Sequence, residues 1–144
     1  MKTRFFVALV TLGAALPWLR LDLQGQMSPR PLLKVHVPFE FSVGGMTLPE
    51  GDYDVLHLIN PNWILLRSGD GRAAATVVVR VSPTSAAEAA TRLVFNRYGD
   101  HNFLWQIWTA QGNEVHECTI SGAERTVARR SQQAPQVAIV YARP

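Results

Sequence analysis

The run Val35-His36-Val37-Pro38-Phe39-Glu40-Phe41-Ser42-Val43 changes character at every residue. A period of two places Val35, Val37, Phe39, Phe41 and Val43 on one face of an extended chain, with His36, Pro38, Glu40 and Ser42 on the other. A helix cannot collect such a pattern on one side, so this segment predicts a half-buried strand. Pro38 has no N–H to give to a ladder, which predicts an edge strand or a break at that point. Turn-forming residues punctuate the chain beyond it. Gly44-Gly45 ends the run, and Leu48-Pro49-Glu50-Gly51 makes a second turn with Pro pre-setting its first central position.

The same alternation of short apolar runs and turn signals continues along the chain. Asp52–Ile59 reads as a strand, broken by Asn60-Pro61-Asn62. Trp63–Arg67 and Ala73–Val81 read as a hairpin around Ser68-Gly69-Asp70-Gly71, and Thr76-Val77-Val78-Val79 predicts burial on both faces. Ser82–Thr91 is a small, Ala-rich connection in which Ala86–Ala90 can form a helical turn. Arg92–Tyr98 and Phe103–Thr109 form a second hairpin through Gly99-Asp100-His101-Asn102. The period then changes: Ser121 with Glu124 three residues on has the capping-box form, and good helix formers run to Gln132, before Pro135. This predicts one short C-terminal α-helix near 122–133. Val137–Tyr141 alternates again as a last strand. Strands at short spacing, not interleaved with helices, predict an all-β fold: a small antiparallel sandwich or squashed barrel of about seven to eight strands.

The N-terminus carries a different signal. Met1-Lys2-Thr3-Arg4 is basic, and Phe5–Leu16 is an uncharged, mostly apolar run stopped by Pro17 and Arg20. This is the layout of a secretory signal peptide, and the run is shorter than the roughly 20 residues a membrane span needs. Small residues suit cleavage near residue 15 or near residue 25, with the later site favoured. The expected organisation is therefore a leader over 1–25 and one β domain over 26–144, periplasmic or extracellular, with no integral span once the leader is removed. The single Cys excludes an internal disulfide framework and an all-Cys zinc site.

Several segments together resemble a group of small exported proteins common in acidobacteria. They are Val37-Pro38-Phe39-Glu40-Phe41-Ser42-Val43-Gly44-Gly45, Leu48-Pro49-Glu50-Gly51-Asp52-Tyr53, Leu65-Leu66-Arg67-Ser68-Gly69-Asp70-Gly71, Leu93-Val94-Phe95-Asn96-Arg97-Tyr98-Gly99-Asp100 and Phe103-Leu104-Trp105-Gln106-Ile107-Trp108. The resemblance runs from about Val35 to Arg130. That group has no assigned activity, so the resemblance implies export and a small β fold but brings no catalytic residues. Its members tend to carry a Gly-Arg-Glu-Leu-Pro-like segment before the terminal helix, where this chain reads Glu114-Val115-His116-Glu117-Cys118-Thr119-Ile120.

No catalytic motif stands out. There is no Gly-x-Ser-x-Gly elbow, and no spacing links His36, His57, His101 and His116 to a serine. His116 and Cys118 would share a strand face, which supplies two metal ligands; a zinc site needs further ones, with His101 or Asp100 from another hairpin. Asp52 and Asp54 fit a solvated turn better than a calcium loop. No enzyme activity, metal or cofactor is therefore expected, and Cys118, unpaired in an exported chain, predicts an intermolecular disulfide and a Cys118-linked dimer.

Aromatic residues give the better binding signal. Strict alternation puts Phe103, Trp105 and Ile107 on one face, and Leu104, Gln106 and Trp108 on the other. Trp105, Trp108 and Tyr98 are thus candidates to stack on a partner, unless they are core residues capped by an arginine of the helix. Charge supports the same end of the chain. The overall net charge is +3. Without residues 1–25 it falls to +1, from 11 basic and 10 acidic residues, and the remaining excess lies in Arg125, Arg129, Arg130 and Arg143. A near-neutral domain with one cationic helix lacks the basic patch and reading motif that nucleic acid requires. The expected role is a binding or structural module for a protein, glycan or envelope component. The alternatives are a small hydrophobic-ligand carrier lined by Phe39, Phe41, Trp63 and Trp105, and an unrecognised hydrolase.

Overall fold

The structure is a computed structural model that describes residues 29–84, 90–110 and 113–143. The expected leader and its cleavage site, and nearly all of the turn expected over Ala86–Ala90, lie outside the described residues. The described chain forms ten strands: β1 (Arg30–Val37), β2 (Phe41–Val43), β3 (Met46–Leu48), β4 (Gly51–His57), β5 (Trp63–Ser68), β6 (Ala74–Pro83), β7 (Arg92–Tyr98), β8 (His101–Thr109), β9 (Glu114–Cys118) and β10 (Gln136–Tyr141). A single helix, α1 (Gly122–Ser131), precedes β10. No helix among the described residues is long and apolar enough to cross a membrane.

All ten strands belong to one mixed, mostly antiparallel sheet. Its main path runs β1-β4-β5-β6-β9-β8 and continues on one side to β7 and β10. The hairpin β2-β3 joins the start of β8 through a parallel contact at Ser42 and Phe103. The sheet is open: among the described residues β1 pairs only with β4 and β10 only with β7. The mostly-β class with one short helix is therefore present, but the closed-barrel form is not, and the strand number exceeds the expected seven to eight. The extra strands are β9 and two that arise at and just after the first alternating run. It breaks at Pro38, and Gly44-Gly45 then folds residues 41–48 into the β2-β3 hairpin. Apolar phase survives the break, because Val35, Val37, Phe41 and Val43 are all buried in one core.

That core explains how an open sheet folds a chain of this length. Phe41 meets Tyr53 of β4 at 5.2 Å and Phe95 of β7 at 5.4 Å, both edge to face. Strands distant in the sheet order thus share one apolar centre, so the sheet must curl over on itself. β6 makes the bend: residues Ala74–Val78 pair with β5, and Val79–Pro83 pair with β9 on its other side. The run Thr76–Val79 is not buried on both faces as expected. Val77 and Val79 are in the core, while Val78 is 39% exposed beside its cross-strand partner Trp63. Among the described residues no layer covers this outer face, so only one side of the strand is buried.

Burial on both faces occurs instead at β7. Leu93 and Phe95 point into the core, while Val94 and Asn96 are buried outside it. Helix α1 packs on β7 and supplies a contact on that outer side. Ser121 caps α1, its Oγ accepting from the Glu124 N–H at 3.1 Å. Glu124 is itself buried, and its Oε1 accepts from Asn96 Nδ2 at 3.0 Å. The residue whose N–H the cap satisfies is therefore also the tie between helix and sheet.

Burial raises the Glu124 carboxyl above its ordinary range, an effect the Asn96 hydrogen bond opposes. A carboxyl raised on folding loses stability as pH climbs from its unfolded value through its folded one. Glu124→Gln keeps the acceptor oxygen and removes the charge. The variant is expected to melt higher than the wild type at pH 7 and level with it near pH 4. A difference in melting temperature that stays constant across that range would contradict the assignment.

Candidate functional site

The 68–72 turn is held together by its own side chains. Ser68 Oγ donates to Asp70 Oδ1 at 2.6 Å, and the Arg72 N–H donates to the same oxygen at 3.0 Å. These two contacts, in that order, hold the Asp70 carboxyl below its usual range. Asp52 and Asp54, expected in a solvated turn, lie instead on strand β4: Asp52 is 2.9 Å from His36 and 3.9 Å from Arg143, and Asp54 is 3.5 Å from Lys34 and 3.6 Å from Arg67. Tyr53 Oη donates to the Pro49 carbonyl at 2.6 Å, which gives the Leu-Pro-x-Gly-x-Tyr segment its role as a fold corner. A groove of about 390 Å³ lies between this corner and the 68–73 hairpin.

The aromatic strand β8 departs from strict alternation. Val94 pairs with Gln106 and Phe95 with Leu104, so Trp105 faces no residue of β7 and sits in a β-bulge. The extra residue shifts the phase. Leu104 and Ile107 both enter the core, while Phe103 lies opposite Asn96 and contacts Tyr98, ring centroids 6.0 Å apart. The expected grouping of Phe103 with Trp105 and Ile107 is thereby corrected. Trp108 is half-buried, its Nε1 donating to Gln106 Oε1 at 3.1 Å. A guanidinium does lie over its ring at 4.5 Å, but it is that of Arg92, the cross-strand neighbour, and not one from α1. Arg125, Arg129 and Arg130 are exposed, and among the described residues none of them forms an ion pair. The sequence-expected set thus divides: Tyr98, Trp105 and Trp108 are partly buried on β7 and β8, while the three arginines face solvent.

The carrier reading fares differently. Phe41 is packed at the centre of the core, Phe39 sits edge-on to Phe95 at 5.2 Å, Trp63 is exposed on the outer face and Trp105 occupies the bulge. These four side chains do not converge on one void.

Cys118 is buried in the core and its thiol is pushed up to about 12, chiefly by burial. The folded domain therefore presents no sulfur for the expected intermolecular disulfide, and a thiol this basic supplies almost no thiolate near neutral pH. An aromatic disulfide reagent is expected to label Cys118 only on the timescale of unfolding, and at once in denaturant. Prompt labelling of the native protein would contradict this.

The structure also brings together two residues that no spacing linked. His57 at the end of β4 and His116 on β9 are in edge-to-face contact, ring centroids 5.0 Å apart. His57 Nε2 and His116 Nδ1 are buried and have no hydrogen-bond partner. Burial lowers both imidazoles below their ordinary value, and at His116 the neighbouring His57 adds to the effect. The sequence offered no signal for this pair beyond the apolar phase of the two strands.

Exposed apolar side chains also line the sheet edge. Along β10, Ala138 and Val140 pack toward the core, while Val137, Ile139 and Tyr141 are 56%, 46% and 58% exposed. No protein-family model, curated protein or solved structure matches this chain.

Proposed function

We propose that this chain is an exported, non-enzymatic binding module whose docking element is β10. The observation that carries the reading is the coincidence, on one strand, of a ladder made only to β7 and a stripe of three exposed apolar side chains. An edge strand has unpaired N–H and C=O groups, and natural proteins usually protect it with charge, Pro or a bulge. Val137, Ile139 and Tyr141 do the opposite. Such an edge suits a partner segment that extends the sheet with backbone hydrogen bonds and seats alternate side chains on the stripe. The basic arginines of α1 would favour an acidic partner surface alongside. The export part of the reading rests on the basic start and the apolar Phe5–Leu16 run.

The test is a photo-crosslinking residue at Ile139 in the producing cell, with Arg80 on the opposite part of the sheet as the control position. The expected result is a discrete heavier adduct from position 139 and none from 80. An adduct at twice the monomer mass would identify the partner as a second copy. No adduct, or equal capture at both positions, would overturn the reading. An exported protein whose mass begins at Met1 would overturn the leader assignment.

A further inference from the structure

We propose that the seam between β1 and β10 is a slot for an acidic, extended peptide segment of a partner protein. This rests on β10 as the docking element and adds to it a second wall, a side-chain pattern and a charge. Among the described residues β1 and β10 make one ladder each, and they line the two sides of a groove of about 310 Å³. Leu33 and Lys34 stand on one side, Tyr141, Ala142 and Arg143 on the other. Ligand pockets start at about 300 Å³, so this one suits a short stretch of chain. Ladder geometry fixes which backbone groups border it. The Ala142 N–H donates to the Thr91 carbonyl at 2.9 Å, so Ala138, Val140 and Ala142 turn their N–H and C=O groups to β7. Ile139 and Tyr141 turn theirs the other way. On the opposite wall the Gly69 N–H donates to the Asp52 carbonyl at 2.8 Å, so Asp52 and Asp54 turn to β5, and Tyr53 and Val55 to β1. Their partners Val35 and Leu33 turn to β4 in return, which directs the N–H and C=O of Lys34 away from it. Edge groups of Lys34 and Tyr141 therefore border the groove from both sides, a template for one extended chain.

The side chains set the pattern that fits. Leu33 belongs to the core and Ala142 packs against it, so the inner side of the groove is apolar. Lys34, Tyr141 and Arg143 are exposed on the outer side. A strand turns successive side chains to opposite faces, so the occupant alternates apolar residues inward with acidic ones outward. Lys34 Nζ is 3.5 Å from Asp54, and Arg143 Nη1 is 3.9 Å from Asp52. Both separations exceed the roughly 2.7–2.9 Å of a charge-assisted hydrogen bond. The two cations are 82% and 70% exposed and keep donors to spare for a carboxylate. Asp52 and Asp54, the acids that face them, stand on β4, one strand back from the edge. A second copy is the poorer occupant. β10 itself carries no acid, so a copy pairing through this strand would leave both cations unanswered.

The test titrates the intact chain with two end-capped pentapeptides, Glu-Val-Glu-Val-Glu and Lys-Val-Lys-Val-Lys, and follows amide hydrogen exchange. The acidic peptide is expected to bind at least about tenfold more tightly than the basic one, the scale of one hydrogen bond to a charged group, and more weakly at high salt. Exchange at Lys34, Ile139 and Tyr141 is expected to slow together, because their N–H groups face the slot. Lys34→Glu combined with Arg143→Glu is expected to invert the preference. Exchange in the wild-type protein decides the question even where the double variant fails to fold. Protection of Ile139 and Tyr141 without Lys34 would overturn the slot and leave β10 as a plain docking edge. Equal affinity for the two peptides would overturn the acidic partner. Binding of neither would overturn the proposal, while the crosslink from Ile139 still decides the docking reading. A chain of twice the monomer mass, with Lys34 and Tyr141 already protected before peptide is added, would put a second copy in the slot and overturn it equally.

Discussion

Phe41→Ala is expected to destabilise the domain by about 4 kcal/mol, in the range measured for deleting a buried Phe. Phe41 is 1% exposed and its ring bridges Tyr53 of β4 and Phe95 of β7. The loss therefore combines the transfer term of the ring with a cavity where distant strands meet. Collapse around that cavity is hindered because the two neighbours belong to separate ladders. A domain with an ordinary stability of about 5–15 kcal/mol would lose a large share of it. Urea unfolding of the two proteins measures the difference directly. A loss below about 1 kcal/mol would mean that the curled sheet does not depend on this contact.

Gly44→Ala should cost about 2–4 kcal/mol, through two separable effects. Gly44 has φ of 58° and Gly45 of 83°, the left-handed pair that a two-residue hairpin turn requires. Each position would strain an L residue by about 1–2 kcal/mol. Gly44 carries an additional constraint, because a Cβ there would collide with the carbonyl oxygen of Thr76 on β6. That carbonyl belongs to backbone laddered to β5 and cannot yield cheaply. Gly45 has open space at the same place. Gly45→Ala is thus the control, expected to lose only the conformational part. Equal losses in the two variants would show that the approach of the hairpin to β6 contributes nothing.

These two expectations concern a short hairpin whose strands were legible while its partners were not. The alternation of Val35–Val43 and the Gly-Gly signal are local, so they could be read from the chain. That Phe41 would meet Phe95, or Gly44 meet Thr76, depends on how far the sheet curls. Trp105 illustrates a second limit. A bulge moves every later side chain to the other face, and nothing in Phe103-Leu104-Trp105-Gln106-Ile107-Trp108 announces where the extra residue falls. Val78 shows a third: an apolar run looks doubly buried until one face proves uncovered. At Ser121 the capping signal was correct, yet the Glu124 carboxylate that the signal assigns to the cap accepts instead from Asn96, a partner 28 residues away.

The candidate sites divide in the same manner. Trp108 and Arg92 were each visible, but the stack between them is created by the β7-β8 register. Cys118 looked reactive because it was alone; burial in the core removes that reactivity. His57 and His116 belonged to different apparent strands with no common spacing, and only the path through β5, β6 and β9 places one ring against the other.

Sequence alone was enough to determine the strand class of most segments, the positions of the tight turns, the cap of the single helix and the basic, apolar start. Each of these depends on residues within a few positions of one another, where period, proline and glycine act directly on the backbone. Only the tertiary structure decided that the sheet stays open, that Val137, Ile139 and Tyr141 of β10 are exposed, that Cys118 is hidden and that two histidines share a contact. Those outcomes depend on which distant strands pair and in what register. Because many pairings can bury a similar apolar face, the choice among them is made by the packing of the whole chain.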